Sequence, residues 1–91
     1  MTLQEFYDAA CEAFPDAYRV ACTMDVARHE SKHAAVQYTL AVFPVSSKRD
    51  DGLPLTFDHA HAYGPYPAVV IANAGRDVAT IMDAREKLGV A

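Results

Sequence analysis

The first stretch of the chain repeats hydrophobic positions with the period of a helix. Its apolar residues recur at three- and four-residue spacing, and acidic residues occupy the opposite face. Thr2-Leu3-Gln4-Glu5 has the form of a capping box, in which the Thr2 hydroxyl accepts a hydrogen bond from the Glu5 amide. Pro15 ends the pattern, because the residue before a proline is pushed out of the helical region. These features predict a helix over residues 2–14.

The last stretch has the same helical period and follows the turn Gly64-Pro65-Tyr66-Pro67. Proline suits the first position of a helix, and Gly89 fits the left-handed residue after a helix end. The predicted apolar stripe comprises Val70, Ile71, Ala74, Val78, Ile81, Met82 and Leu88. An alternative places a buried strand over residues 68–72 and begins the helix at Asn73. The unbroken period favours a single helix.

The middle of the chain alternates hydrophobic and polar residues with the period of a strand. Such alternation covers residues 18–27, 35–42 and 55–63. The polar residues 28–33 separate the first two runs, which predicts a long hairpin, and a charged loop over residues 44–52 leads to the third strand. The sequence therefore predicts one α+β domain over residues 1–91, with the order α-β-β-β-α. Its three-stranded antiparallel sheet carries two helices packed on one face.

Composition excludes several classes of protein. The chain has 91 residues, 52% of them hydrophobic and 22% charged, as an ordinary folded domain has. A formal net charge of -4 argues against nonspecific binding to nucleic acids or anionic membranes. No apolar run approaches the roughly 20 residues of a membrane helix, and no signal peptide is recognisable. Cys11 and Cys22 are too few for a disulfide scaffold and are expected to be reduced core thiols, so a cytoplasmic location is predicted.

One motif competes with the hairpin. His29-Glu30-Ser31-Lys32-His33 has the form HExxH, which on a helix lets two imidazoles bind one zinc ion while the glutamate acts as general base. A helix from Asp25 to Val42 would present an acceptable apolar stripe. This run resembles the zinc helix of the peptidase domain in membrane-anchored AAA-type proteases. The resemblance implies a zinc-dependent peptidase with His29 and His33 as ligands and Glu30 as base.

Other observations favour the hairpin over the zinc helix and argue against a catalytic role for this motif. Lys32 places a cation beside a ligand of this motif, and strand-length alternation flanks the motif on both sides. A third zinc ligand would have to be Asp58, His59 or His61, none of which lies in a recognisable ligand motif. The preferred prediction is therefore a protein without catalytic residues or cofactor, and a minimal zinc hydrolase is the alternative.

His59 and His61 alternate on a strand, so both rings face the same side of the sheet. Such a pair serves some metal sites. The preferred interpretation is that the two histidines are partly buried beside Phe57 and Tyr63 and hydrogen-bonded to their neighbours.

The remaining candidates are surface residues. Tyr63 and Tyr66 flank the Gly-Pro turn, where they either form an aromatic contact patch or, in the preferred interpretation, cover the open end of a small core. The charged candidates for an interaction surface are Arg28 and Lys32 at the hairpin tip and Lys48, Arg49, Asp50 and Asp51 in the following loop.

The layout of the whole chain supplies a second resemblance. A capped acidic helix, a hairpin, the strand Thr56-Phe57-Asp58, the Gly64-Pro65-x-Pro67 turn and a terminal amphipathic helix are similar to those of small phage- and mobile-element-encoded proteins, among them anti-CRISPR inhibitors. That resemblance implies a non-enzymatic inhibitor that occludes a site on a host protein or nucleoprotein complex. The predicted partner is such a complex rather than free nucleic acid or a membrane, and a homodimer remains open.

Overall fold

The computed structural model describes residues 1–27, 35–45 and 59–89. The described residues form a helix, three strands and a second helix: α1 Leu3–Ala13, β1 Arg19–Ala27, β2 Ala35–Phe43, β3 Ala60–Gly64 and α2 Pro67–Lys87. The strands make one antiparallel sheet in the order β1-β2-β3. The predicted α-β-β-β-α fold is confirmed. Neither of these two helices is long and apolar enough to cross a membrane.

Helix α1 begins where local chemistry predicts. The Thr2 hydroxyl accepts a 3.1 Å hydrogen bond from the Glu5 amide, and the Glu5 carboxylate accepts a 2.9 Å bond from the Thr2 amide. The bond from the Thr2 backbone, followed by the bond to its side chain, lowers the pKa of Glu5. At the other end Phe14 is the C-cap, and its amide donates to the Ala10 carbonyl. Pro15 follows directly, so the helix ends within one residue of the prediction.

Helix α2 is continuous, so the alternative of a strand over residues 68–72 is wrong. Tyr66 is the N-cap, Pro67 is in the first turn, and Gly89 follows the helix with a φ of 74°.

The apolar stripe predicted for α2 holds for Val70, Ala74 and Ile81, which are buried. It fails at Met82, which is 40% exposed, and at the end of the helix. Leu88 is the C-cap residue and is exposed, whereas Arg85, one turn after Ile81 on the same face, is buried.

The strands β1 and β2 pair along their full length, with Arg19 opposite Phe43 and Ala27 opposite Ala35. Residues 25–27 and 35–42 are therefore extended. The alternative of one helix from Asp25 to Val42 is wrong, because these residues form the backbone hydrogen bonds of an antiparallel ladder instead.

The core lies between one face of the sheet and both helices. On β2 the inward side chains are Tyr38, Leu40 and Val42, and the ring of Phe6 from α1 meets that of Tyr38 edge-on at 5.0 Å between centroids. The buried hydrophobic residues are Phe6, Ala10, Tyr38, Leu40, Val42, Ala60, Ala62, Val70, Ala74 and Ile81. We call this side of the sheet the covered face.

The third strand differs from the prediction in which side chains it buries. Ala60 and Ala62 point into the core, whereas His61 and Tyr63 are exposed on the other side. Alanines at the inward positions leave room for α2, which packs over β3. Residues 55–58 of the predicted strand lie outside the described residues.

Candidate interaction surface

The second face of the sheet is covered by neither α1 nor α2. Side chains alternate along a strand, so the residues between the buried ones project away from the helices. We call this surface the open face. From the described residues it comprises Arg19, Ala21, Thr23 and Asp25 of β1, Ala35, Gln37, Thr39, Ala41 and Phe43 of β2, and His61 and Tyr63 of β3. Each of these side chains is exposed or half-buried.

One end of the open face is a row of three stacked side chains. The Arg19 guanidinium lies 5.4 Å from the centroid of the Phe43 ring, on the strand opposite. On its other side the Phe43 ring stacks with His59, with 5.0 Å between centroids and 27° between planes. Cation–π and aromatic contacts of this kind favour fixed side-chain positions. The row gives this end of the open face a defined shape.

The centre of the open face is lined by small side chains. Ala21 lies opposite Ala41, and Thr23 lies opposite Thr39. On the edge strand β3 the corresponding residues are large: His61 and Tyr63, whose rings are 6.2 Å apart and tilted by 47°. The centre of the surface is therefore low over β1 and β2, and the surface rises along β3.

The turn after β3 extends the aromatic surface. Tyr63 and Tyr66 stand on either side of Gly64-Pro65 and are 65% and 68% exposed. The interpretation that they cover the end of the core is wrong, because both side chains are exposed and neither is among the residues that pack against the core. The backbone at the turn is tied to α2 by a 3.0 Å hydrogen bond from the Val70 amide to the Tyr66 carbonyl. We call Tyr63 and Tyr66 the tyrosine pair.

The two histidines of β3 and its approach have different surroundings. His59 is half-buried against Phe43, which agrees with the expectation of a partly buried histidine. His61 differs from that expectation, because it is exposed beside Tyr63. Phe57, expected next to them, lies outside the described residues. Within residues 1–27, 35–45 and 59–89, no three His, Cys, Asp or Glu side chains are grouped so that they could hold a metal ion.

Most of the other predicted site residues fall where the structure gives no description. The motif residues His29, Glu30 and His33 lie outside the described residues. So do the remaining candidates, which are Arg28, Lys32, Lys48, Arg49, Asp50, Asp51 and Asp58. Of the surface residues singled out from the sequence, the tyrosine pair and the two histidines are those that the structure places.

Charge is distributed unequally between the two sides of the described fold. Helix α1 carries Glu5, Asp8 and Glu12 and no basic residue. On the open face the residues with a full charge are Arg19 and Asp25, one of each sign at opposite ends of β1. The helical side therefore carries a negative charge at α1, whereas the positive and negative charges of the open face are equal in number.

The cysteines belong to the covered side. Cys11 on α1 and Cys22 on β1 are free and half-buried, and Cys22 packs against the core. Burial raises the pKa of the Cys22 thiol, and the nearby Cys11 raises it further. A raised pKa keeps Cys22 protonated at neutral pH, which makes it a poor nucleophile.

Two features were not foreseen from the sequence. Arg19 and Phe43 were not singled out, because their contact depends on the register of two strands. A groove of about 260 Å³ opens where the end of α1 meets β2 and α2, with Phe14, Pro44 and Met82 among its walls. Its walls come from three distant parts of the chain, so no local pattern announces it.

Comparisons with protein-family models, with curated proteins and with solved structures find no match to this chain. The function must therefore be argued from the geometry of the described residues.

Proposed function

We propose that this protein acts by contact, as a small non-enzymatic binding protein that occludes a site on a protein or nucleoprotein complex. The layout of the chain resembles that of phage-encoded inhibitors of the anti-CRISPR type, and this resemblance makes such a complex in a bacterial host the expected partner. Its principal contact residues are the tyrosine pair.

The exposure of Tyr63 and Tyr66 on a well-defined backbone is the observation that carries this proposal. Both side chains are about two-thirds exposed, and they extend from the last residues of β3 and the N-cap of α2. Tyrosine brings a large apolar ring and a polar hydroxyl at a low cost in side-chain entropy, which is why it is enriched at interfaces. Val69, in the first turn of α2, is 53% exposed and adds apolar area next to Tyr66.

The charge of the molecule supports a protein surface as the partner. The exposed side chains of α1 include three carboxylates, and the formal net charge is -4. An acidic binding protein is attracted to basic patches, and such patches mark the nucleic-acid sites of nucleoprotein complexes. Occlusion of a basic site requires no chemistry from the inhibitor.

The experiment is quantitative affinity capture from a bacterial lysate with three baits: the unchanged protein, Tyr63→Ser/Tyr66→Ser, and Tyr18→Ser. Tyr18 is the matched control because it is 62% exposed but precedes β1, away from the turn. We expect a set of proteins retained by the unchanged and Tyr18→Ser baits and depleted at least tenfold by the double variant. Treating the lysate with nuclease separates protein partners from nucleoprotein partners.

Identical capture by all three baits would remove the tyrosine pair as the contact surface. Failure of the unchanged protein to retain any protein above the level of a bait-free resin would contradict the proposed function itself. Circular dichroism of each bait verifies that the substitutions leave the fold intact, since all three tyrosines are exposed.

A further inference from the structure

We propose that the open face binds the open face of a second copy of this chain, in a two-fold dimer whose β1 strands run antiparallel to each other. This inference concerns a different surface from the partner contact at Tyr66 and Val69, and it holds whether or not a host partner exists. Tyr63 alone belongs to both surfaces.

The two charges of the open face are arranged to complement themselves. Arg19 and Asp25 are six residues apart on β1 and project from the same face, so about 20 Å separates their backbone positions. A two-fold axis that lies between the sheets, perpendicular to the strands and level with residue 22, brings Arg19 of each copy over Asp25 of the other. Two ion pairs form at once, because a two-fold interface uses every contact twice.

The same axis matches the central side chains by size. Ala21 meets Thr23 of the second copy, and Ala41 meets Thr39, so the low parts of the two faces approach each other. On the edge strand His61 meets Tyr63 of the second copy, which places an imidazole beside a phenol ring. The rings of β3 thus lie along one border, Phe43 of each copy meets Gln37 of the other at the two ends of β2, and methyl groups fill the middle.

Sheets that pack face to face cross at about 30°, and this crossing is compatible with the ion pairs. For residues about 10 Å from the axis, a crossing of about 30° displaces each residue sideways from its partner in the other copy by about 5 Å. The extended side chain of Arg19 spans such a displacement. The guanidinium already lies over Phe43, toward the centre of the face, rather than out past the edge of the sheet.

The other two-fold arrangement of these faces leaves the charges without opposite partners. With the axis parallel to the strands, the Arg19 end of one sheet lies over the Arg19 end of the other. Arg19 then faces His59 of the second copy, and Asp25 gains no cation from the described open face. Charge complementarity therefore selects the antiparallel arrangement.

The size of the face determines how strong this dimer is. Three strands about 4.8 Å apart and about 20 Å long give each copy a footprint of only about 300–400 Å². Interfaces well below about 1,200 Å² in total belong to the weak, transient class. We therefore expect a dissociation constant in the range of about 10 µM to 1 mM, so the experiment must reach high protein concentration.

Sedimentation equilibrium from about 10 µM to about 2 mM, a range set by that affinity class, tests the inference. We expect the unchanged protein to move from monomer to dimer. Arg19→Asp and Asp25→Arg should each weaken the dimer at least tenfold, because each places like charges opposite one another. The double variant Arg19→Asp/Asp25→Arg should restore most of the affinity, since the exchanged charges again face each other.

A steric pair of variants completes the test. Ala41→Arg inserts a long side chain at the centre of the face and should abolish dimerisation, whereas Ala79→Arg, on an exposed position of α2, should leave it unchanged. Both changes add the same charge, so net charge cannot explain a difference between them. Circular dichroism of each variant confirms folding.

An unchanged protein that stays monomeric up to the highest concentration would overturn the inference. A dimer that Ala79→Arg breaks and Ala41→Arg spares would also overturn it, because the interface would then lie on the helices. So would a double charge variant no stronger than the single ones.

Discussion

Thr39 and Leu40 are neighbours on β2, yet they serve opposite faces of the sheet. Leu40 is fully buried, with Cys22 and Ala62 opposite it and both helices above the covered face. Thr39 lies between Thr23 and Tyr63 with no described helix above it. The backbone is the same for both, so the difference lies in what the side chains meet. The covered face holds the fold together, and the open face is the surface that we propose contacts a second copy of the chain.

The largest expected effect comes from removing packing on the covered face. Leu40→Ala should lower the free energy of unfolding by about 2–5 kcal/mol, because it deletes a fully buried side chain and leaves a cavity. Thr39→Ala, one residue away on the open face, should change it by less than about 1 kcal/mol. Urea denaturation measures both. Equal losses for the two variants would contradict the division between the faces.

Substitutions that add volume should also affect the two faces differently. Ala62→Leu forces a larger side chain beneath α2 and should cost about 1–3 kcal/mol of stability. Ala41→Leu places the same side chain on the open face, where no described helix must move, and should change stability by no more than about 0.5 kcal/mol. Thermal and urea unfolding of the two variants give the comparison. A destabilising Ala41→Leu at dilute concentration would show that something covers this face within one molecule.

The N-cap of α1 lies outside both faces, so its removal shows how much stability a single local hydrogen bond contributes. Thr2→Ala removes the hydroxyl that accepts the Glu5 amide and should cost about 1 kcal/mol. Thr2→Ser, which keeps the hydroxyl, is the matched control and should cost little. A loss from Thr2→Ala as large as that from Leu40→Ala would mean that the helix end, rather than the covered face, dominates stability.

The smallest effect concerns pH. The pKa of Glu5 is lowered from its ordinary value of 4.5 by the bonds to Thr2, so the folded state favours the ionised carboxylate. The resulting stability is fully present above the pKa of the unfolded chain and is lost as pH falls through the lower, folded pKa. Glu5→Gln should therefore remove this stabilisation at pH 7 and flatten the dependence of stability on pH below about 4.5, so that the two proteins differ most near neutrality and least at pH 3. Urea unfolding at pH 3, 4 and 7 detects the difference, and an unchanged slope would contradict the capping box in solution.

Local chemistry explains why the ends of the chain were predicted well. The capping box at Thr2, Pro15 after α1, Pro67 at the start of α2 and Gly89 beyond its end each act within a few residues. Such signals do not depend on the rest of the fold. The hairpin was also predicted correctly, because two alternating runs of similar length pair in a single register.

The sequence could not show which face of the third strand is buried. Its inward residues, Ala60 and Ala62, are small because α2 lies over them, whereas the larger His61 and Tyr63 face outward. A pattern of large and small side chains therefore does not indicate that the alanines are the buried residues of this strand. The burial of Arg85 was missed for a related reason, since a charged residue within an apolar stripe is expected at the surface.

The candidate surface was predicted only in part. The tyrosine pair was identified from its turn, but the stacked row of Arg19, Phe43 and His59 combines three separated parts of the chain. Only the pairing of β1 with β2, and of β2 with β3, brings these residues together. The hydrophobic pattern fixes which side chains face the core, but the partner of each residue across the sheet also depends on the length and geometry of the connections between strands.

The most direct test of the open face as a contact surface is methyl NMR on a mixed sample, in which half of the molecules carry labelled alanine and threonine methyl groups. We predict intermolecular nuclear Overhauser effects between the Ala41 methyl group of one copy and Thr39 of the other. Methyl shifts of Ala21 and Ala41 should change with concentration, while those of Ala60 and Ala62 on the covered face stay constant. Concentration-dependent shifts confined to residues of α1 or α2, with no effect at Ala41, would contradict the account.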